Sequence, residues 1–388
     1  MIRTIGQCIL IPIMHLWQRW YGKRHPICNH QIMFYAHRRR GIVCNPKYIL
    51  EELMKSPDYK LYWVSEYPES IPEDPRYEAV KYRSFQYFKL FVQTKIYVTN
   101  DMLDELLYKR KGQVILGTWH GGGVYKRSGF STALGRYQKY IFHLYYARID
   151  YMLSDSKVNT ELHSAEFQIP QKRFLEFGLP RNDMFYGNHP EIRYRVMDFY
   201  EIPDDAKILL YAPTYRKEKE KYQKYLSGDE VEIILNALKK RFGGQWICIY
   251  RFHYFVSEQS IPQSNRIRNG WLYDNIQDLL YSADVFITDY SASMWDFSFT
   301  FRPVFLYTPD LKKYKQKDRG FYVPIDEWPY PQASDMQSLT TVIYNFDKNN
   351  YRNKLENHHK LFGMVQGGKA AKKTCEFIKE KCLEVGED

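Results

Sequence analysis

Short apolar runs alternate with helical patterns along almost the whole chain. Ile32-Met33-Phe34-Tyr35, Leu61-Tyr62-Trp63-Val64, Ile96-Tyr97-Val98 and Val114-Ile115-Leu116 form a first series of predicted strands. Ile208-Leu209-Leu210-Tyr211, Ile247-Cys248-Ile249-Tyr250, Val285-Phe286-Ile287 and Val304-Phe305-Leu306-Tyr307 form a second. Between them the spacing predicts helices over 46–54, 101–108, 231–241, 276–282 and 293–300. Apolar strands separated by helices imply parallel sheets built from βαβ units. The series breaks across 185–205, where Gly187-Asn188-His189-Pro190 precedes a charged helix, so the domain boundary is expected near residue 200. With 388 residues the chain is too long for one ordinary core. The expected architecture is α/β: an N-terminal helix over 1–25, then two domains, 26–200 and 201–388, facing a central cleft. In open α/β sheets ligands bind at the carboxyl ends of strands, and those ends are where the chemically interesting residues fall.

The first 21 residues are apolar and aromatic, with Ile2, Ile5, Ile9, Ile13, Leu16 and Trp20 near helical spacing. Pro12, His15, Gln18 and Arg19 interrupt the run, which leaves it too short to span a bilayer comfortably. Trp17, Trp20, Arg19, Lys23 and Arg24 at its end suit a helix lying in the membrane interface. A core-packing first helix fits the same pattern.

Composition narrows the class. A hydrophobic content of 44%, with 35 Tyr and 23 Phe, supports a packed core and excludes a disordered chain. The formal net charge of +11 includes clusters at Lys23-Arg24, Arg38-Arg39-Arg40, Lys109-Arg110-Lys111, Lys239-Lys240-Arg241 and Lys312-Lys313. Such a balance suits an anionic partner, although any one cluster is as well explained by a solvated surface. No helix-turn-helix, zinc-finger or RNA-recognition signature accompanies it, and no nucleic-acid partner is expected. Six cysteines without a CxxC pair point to a reducing cytosol rather than a disulfide framework, and no metal site is expected.

Four strand-end segments carry candidate chemistry. Thr118-Trp119-His120-Gly121-Gly122-Gly123-Val124-Tyr125-Lys126-Arg127 follows the Val114–Leu116 run. Its glycines let backbone approach a substrate or donate to an anion, and His120 has a pKa suited to general base work. A tight turn around a buried histidine fits equally. Tyr211-Ala212-Pro213-Thr214-Tyr215-Arg216 places a positive charge after the next series' first strand, and Arg251-Phe252-His253 another cation and a second histidine. Ile287-Thr288-Asp289-Tyr290-Ser291-Ala292-Ser293-Met294-Trp295-Asp296 sets hydroxyls at a helix start, where free N–H groups favour phosphate. An ordinary serine cap is the plainer account of that last segment. Asp310-Leu311-Lys312-Lys313-Tyr314 and Arg319-Gly320-Phe321-Tyr322 follow the last strand.

These segments, together with Asn45-Pro46-Lys47, Gly178-Leu179-Pro180-Arg181-Asn182-Asp183 and Arg302-Pro303, occur in the order found in the CDP-glycerol glycerophosphotransferase family. The chain resembles those teichoic acid primases and polymerases over roughly residues 30 to 325. The resemblance implies a GT-B-like fold of two Rossmann-like domains, the first meeting the membrane and acceptor and the second holding a CDP-alcohol. It makes His120 the catalytic base and His253 a second functional histidine. Arg216, Arg251, Thr288 and Ser291 would contact the donor phosphates, and Asp289 and Asp296 would lie on the nucleotide side. Gly121, Gly122, Gly123 and Lys126 would form the acceptor-side loop. CDP-glycerol or CDP-ribitol is the implied co-substrate, with no tightly bound cofactor. The partner is a lipid-linked acceptor at the cytoplasmic face of the membrane, and the enzyme is peripheral.

Three departures bear on the substrates rather than the chemistry. Gly122-Gly123 replaces the Thr-Pro that many members have after His-Gly. Ala292 replaces the second serine of Asp-Tyr-Ser-Ser, so Ser291 alone would carry the hydroxyl contact. Ala36-His37-Arg38-Arg39-Arg40 stands where many members read Ser-Phe-His-Gly. The implied reaction is attack of an acceptor hydroxyl on the β-phosphate of a CDP-alcohol with release of CMP, for teichoic-acid or capsule-like polymer synthesis. The alternatives are a GT-B glycosyltransferase using a nucleotide sugar, a nucleic-acid-binding protein, and a membrane scaffold without activity.

Overall fold

The structure is a computed structural model that describes residues 5–36, 41–132, 135–214, 216, 225–252, 261–262, 264–317, 320–365 and 367–384. The chain forms two compact units. The first contains residues 1–120, 128–183 and 365–388, and the second contains 121–127 and 184–364. The boundary expected near residue 200 thus falls inside the second unit, and residues from Val365 onward return to the first.

The first unit is built on seven parallel strands: β1 (Cys28–Tyr35), β2 (Lys60–Ser65), β3 (Tyr77–Lys81), β4 (Thr94–Thr99), β5 (Val114–Gly117), β6 (Tyr151–Leu153) and β7 (Phe174–Leu175). Their spatial order is β3-β2-β1-β4-β5-β6-β7. Register is set by fully apolar pairs such as Ile32 with Leu61 and with Ile96. Val98 pairs with Leu116 in the same way. Central strands of a parallel sheet are covered on both faces, so they read as unbroken apolar runs. One core, with Tyr87, Phe91, Tyr97 and Ile115, lies on one face of the sheet. The other includes Leu50, Trp63, Val98 and Ile378, the last from the returning helix Ala370–Leu383.

The second unit has six parallel strands: β8 (Lys207–Tyr211), β9 (Trp246–Tyr250), β10 (Ile267–Asn269), β11 (Val285–Thr288), β12 (Val304–Tyr307) and β13 (Gln332–Ala333). They are ordered β10-β9-β8-β11-β12-β13. Counted within the unit this is 3-2-1-4-5-6, the dinucleotide-binding order, and the first six strands of the other unit repeat it. The expectation of two Rossmann-like units holds. Strand order reverses between β1 and β4 in one unit and between β8 and β11 in the other, and ligands of such sheets sit at those switch points.

One predicted element is absent. Residues 101–108 form turns and extended chain, not a helix. Side chains supply the partners that a helical ladder would have provided. Arg148 donates to the carbonyls of Leu103, Asp104 and Leu107, the Asp104 carboxylate accepts the Leu106 N–H, and Gln18 binds the Leu106 carbonyl and the Tyr108 N–H. Asp104 is itself held by a two-pronged pair with Arg83 at 2.8 Å. With its backbone satisfied this way, the segment gains nothing by coiling.

The helix Ile5–Gly22 divides its surface between two environments. Ile11, Met14 and Trp17 pack on the first unit's core, and Gln18 is fully buried. Ile9, Ile13, Leu16 and Trp20 face outward, with Leu16 65% exposed. The core-packing expectation is met on one face, and the opposite face carries an exposed apolar stripe. No described helix is long and apolar enough to cross a membrane.

Candidate active site

In the first unit, the chain leaves β5 through Thr118 and turns at Trp119, whose φ of +52° lies in the left-handed region. That conformation costs an ordinary residue roughly 1–2 kcal/mol, so its surroundings must enforce it. They do so from three directions. The Thr118 N–H donates to the Thr99 carbonyl at 2.7 Å, tying the turn to β4. The Asn45 amide donates to the carbonyls of both Thr118 and Trp119 at 3.0 Å. One Arg181 guanidinium N–H donates to the His120 carbonyl at 2.7 Å. Asn45 opens the helix Cys44–Leu53 and Arg181 lies in the 3-10 turn Pro180–Tyr186. Both side chains are buried.

His120 itself is exposed. Its Nδ1 lies 3.1 Å from the carbonyl of Asn100, just past the carboxyl end of β4. A carbonyl can only accept, so this bond puts the proton on Nδ1 and makes Nε2 the basic atom. The Trp119 ring stacks against the imidazole with centroids 4.4 Å apart. Behind it, His163 is buried against Trp119 and Phe167. Burial pushes the His163 pKa down to about 3, and the neighbouring His120 adds to the shift. Of the two histidines, His120 is the accessible one and His163 is a neutral packing group.

After His120 the chain enters the second unit, where Gly122 and Gly123 are buried. Gly123 has φ +70°, and a Cβ there would lie 2.6 Å from the Tyr125 ring and 2.9 Å from Trp295. Gly123 thus serves close packing of the loop. Tyr125 is buried among Trp328, Tyr330 and His358, and its hydroxyl lies 3.0 Å from both the Tyr330 hydroxyl and His358 Nε2. Lys126 forms an antiparallel bridge with Phe321.

At the second unit's switch point, the ends of β8 and β11 bring Arg216, Thr288, Asp289 and Ser291 together. Arg216 is not the free cation expected from the sequence. It is 2% exposed and donates to Asp310 and Asp289, each at 2.8 Å. Its guanidinium lies beside the stacked rings of Tyr290 and Tyr314, 4.9 and 4.7 Å from their centroids. Its charge is thus paired with two carboxylates among the described residues. Asp289 also accepts the Thr214 N–H at 2.8 Å and the Tyr290 N–H. It ties the two strand-end loops together.

Arg251, at the end of β9, is likewise engaged. It donates to the backbone carbonyls of Gly270, Tyr273 and Asp274 and so braces the loop after β10. Thr288 is buried and donates to the Ala212 carbonyl at 2.7 Å. Asp296 is buried beside Gln277, whose amide donates to it at 3.1 Å. Ser291 is the half-buried member: its hydroxyl donates to Ser293 Oγ at 3.2 Å and accepts the Ser293 N–H. His253, Arg319 and the His37-Arg38-Arg39-Arg40 stretch lie outside the described residues. Among the described residues, no group of three His, Cys, Asp or Glu is placed to hold a metal ion.

Sequence reasoning assigned no role to Asn45, Asn100, Arg181, Asp310 or Tyr314. The Asn-Pro-Lys and Pro-Arg-Asn-Asp segments were the available signal for the first and third. A polar residue at a helix start or turn has a ready local use, which hides a distant one.

Comparison with known proteins identifies the family and the fold. The family model for CDP-glycerol:poly(glycerophosphate) glycerophosphotransferase matches residues 21–380. The teichoic acid poly(glycerol phosphate) polymerase of Staphylococcus epidermidis is 28% identical over 370 residues, covering 89% of this chain and 50% of that protein. The teichoic acid glycerol-phosphate transferase of Staphylococcus aureus is 28% identical over 348 residues, covering 86% of this chain and 89% of its own. This chain spans about half the length of the S. epidermidis polymerase and of its Bacillus subtilis counterpart. Among solved structures, the wall teichoic acid polymerase TagF superposes with a TM-score of 0.83 at 27% identity, covering 97% of this chain and 96% of the other. The GT-B-like class expected from the sequence is that of these neighbours, and the chain belongs to the CDP-glycerol:poly(glycerophosphate) glycerophosphotransferase family.

Proposed function

We propose that the protein transfers glycerol phosphate, or a related polyol phosphate, from a CDP-alcohol to a membrane-linked acceptor. The observation that carries this reading is His120: an exposed imidazole at a strand's carboxyl end, with Nδ1 against the Asn100 carbonyl and its loop held by Asn45 and Arg181. Nε2 removes the proton from an acceptor hydroxyl, whose oxygen bonds to the β-phosphorus. The bond from that phosphorus to the bridging oxygen breaks, and CMP leaves with the electron pair. Ser291, with His253 as a second functional histidine, serves the donor phosphates. Arg216 and Arg251 take a different role from the one expected. They fix the loops at the ends of β8, β9 and β11 on which the donor rests, consistent with their carboxylate and carbonyl partners. Family membership supports a glycerol-phosphate donor, since the relatives are named as glycerol-phosphate transferases and polymerases.

The acceptor side of the reading rests on the helix Ile5–Gly22. Its outward stripe of Ile9, Ile13, Leu16 and Trp20 is suited to burial at the acyl boundary of a membrane, which brings the chain to a lipid-linked acceptor.

Incubation with CDP-glycerol and a lipid-linked acceptor tests the proposal. CMP should appear in step with acceptor elongation, and His120→Ala should lower kcat by roughly 10²–10⁴-fold while the protein stays folded. Near-normal turnover in that variant would remove His120 as the base. Release of a nucleoside diphosphate from a nucleotide sugar would favour the glycosyltransferase alternative.

A further inference from the structure

The first unit has a concavity at the end of its sheet opposite His120. It is a pocket of about 900 Å³ lined at the amino ends of the strands, by Asn29 of β1, Lys95 of β4, Val114 of β5 and Tyr151 of β6. His120 follows the carboxyl end of β5, so this pocket lies at the other end of the same parallel strands.

Among the described residues its charges are unbalanced. Lys95, Arg110, Lys111, Lys172, Arg173 and Lys381 line it against two carboxylates, Asp150 and Glu384. Both carboxylates are engaged, Asp150 with Lys109 and Glu384 with Lys381. Lys95 is only 4% exposed, and its ammonium donates to the backbone carbonyl of Glu384 at 2.8 Å. Arg110 donates only to carbonyls, those of Gly22, His25 and Val92, and Arg173 to that of Ile149. Among the described residues, neither these three nor Lys111 or Lys172 has a carboxylate within ion-pair distance. Carbonyls satisfy hydrogen bonds but do not neutralise charge. Cations gathered on a concave wall therefore focus a positive potential into the pocket. Ile27, Val114 and Tyr151 add apolar wall beside the cations, which suits an anion carried on a short carbon skeleton. The volume exceeds what a lone carboxylate fills and lies within the range of small-molecule sites.

We propose that this pocket binds the phosphate of a glycerol phosphodiester. The headgroup of an anionic glycerophospholipid fits its position. Arg110 in the pocket wall is bonded to the last residue of the helix Ile5–Gly22, whose outer stripe is apolar. A free phosphodiester presents the same chemistry. The site is independent of the transfer reaction, so its binding is measured without turnover.

The test uses the full chain and two exposed rim residues, in the variant Lys111→Glu/Lys172→Glu. The control is Lys239→Glu/Lys240→Glu, an equal charge reversal on the second unit's helix Gly228–Phe242. Each protein is sedimented with phosphatidylcholine vesicles, with and without phosphatidylglycerol, and titrated with soluble glycerophosphoglycerol. Wild type and control should gain at least ~tenfold in retention from phosphatidylglycerol, and the pocket variant should lose that gain but keep the basal level. Competition by glycerophosphoglycerol would show that the diester itself is recognised. Saturable binding of the soluble diester without a vesicle preference, lost in the pocket variant, would assign the site to a free phosphodiester. The proposal is overturned if the pocket and control variants lose retention equally, or if neither probe separates the pocket variant from wild type.

Discussion

Asn45 and Arg181, 136 positions apart, hold each other and the same turn: the Arg181 N–H donates to Asn45 Oδ1 at 3.2 Å, while their side chains bind three successive carbonyls, those of Thr118, Trp119 and His120. Neither side chain carries out chemistry. Together they enforce the left-handed backbone at Trp119 and so aim His120.

Asn45→Ala should therefore act on rate more than on substrate binding. The buried Thr118 carbonyl loses its side-chain donor and that of Trp119 keeps only the Thr118 hydroxyl at 3.3 Å, costing about 1–3 kcal/mol of stability. A displaced imidazole should lower kcat by about 10²-fold with KM little changed. Steady-state kinetics at a temperature where the variant is fully folded separates the two effects. A KM increase with unchanged kcat would contradict the positioning role.

Arg216→Ala should be a folding defect before it is a catalytic one. It leaves Asp289 and Asp310 buried without a cation, at a cost of about 3–5 kcal/mol. Denaturant unfolding should show the loss. The double variant Arg216→Met/Asp310→Asn, which removes a charge of each sign, should recover part of it. If Arg216→Ala kept full stability but lost donor affinity, the arginine would be a phosphate contact after all.

Acid should destabilise the protein through its buried histidines. Burial holds His163 at about 3 and His358 and His359 each at about 4, while the unfolded chain titrates near 6.5. Between those values the unfolded state binds more protons, so stability is present above about pH 6.5 and is lost as pH falls toward 4. Each histidine contributes about 1.4 kcal/mol per pH unit in that window. His163 Nδ1 is buried without a hydrogen-bond partner, so His163→Leu should cost little at pH 7 and flatten the dependence by about one proton. Unfolding free energies at pH 7 and pH 5 measure both.

On the helix Ile5–Gly22, the two faces should respond differently. Leu16→Ser lies on the exposed stripe and should weaken vesicle binding without shifting Tm. Trp17→Ala removes a half-buried ring packed on the first unit's core and should lower Tm. Equal vesicle binding by wild type and Leu16→Ser would count against the membrane reading.

The elements legible in the sequence were the central strands. β1, β2, β4 and β5, like β8, β9, β11 and β12, are buried on both faces over their central residues, which are apolar there. β3, β7, β10 and β13 lie at sheet edges, and β6 pairs only two residues with each neighbour. There the demand for apolar residues relaxes, as in Tyr77-Glu78-Ala79-Val80-Lys81, and the pattern fades into loop. The site divides the same way. His120 was visible because its residue type and its strand-end position point to one chemistry. The engagement of Arg216 by Asp310 was not, because 94 residues separate them and nothing local marks a buried pair. The segment 101–108 failed for a related reason: the partners that replace its helical ladder come from Gln18, Arg83 and Arg148.

The division of the chain sets an order of assembly. The second unit draws on nothing beyond Met364, whereas the first closes one of its cores only with the helix Ala370–Leu383, through Ile378 and Cys382. During synthesis the unit that begins first is completed last. Until then the helix Cys44–Leu53 and the neighbouring strand β4 carry an uncovered face around Leu50, Leu53 and Ile96, so a nascent or truncated chain ending near residue 364 has one finished half and one adhesive half.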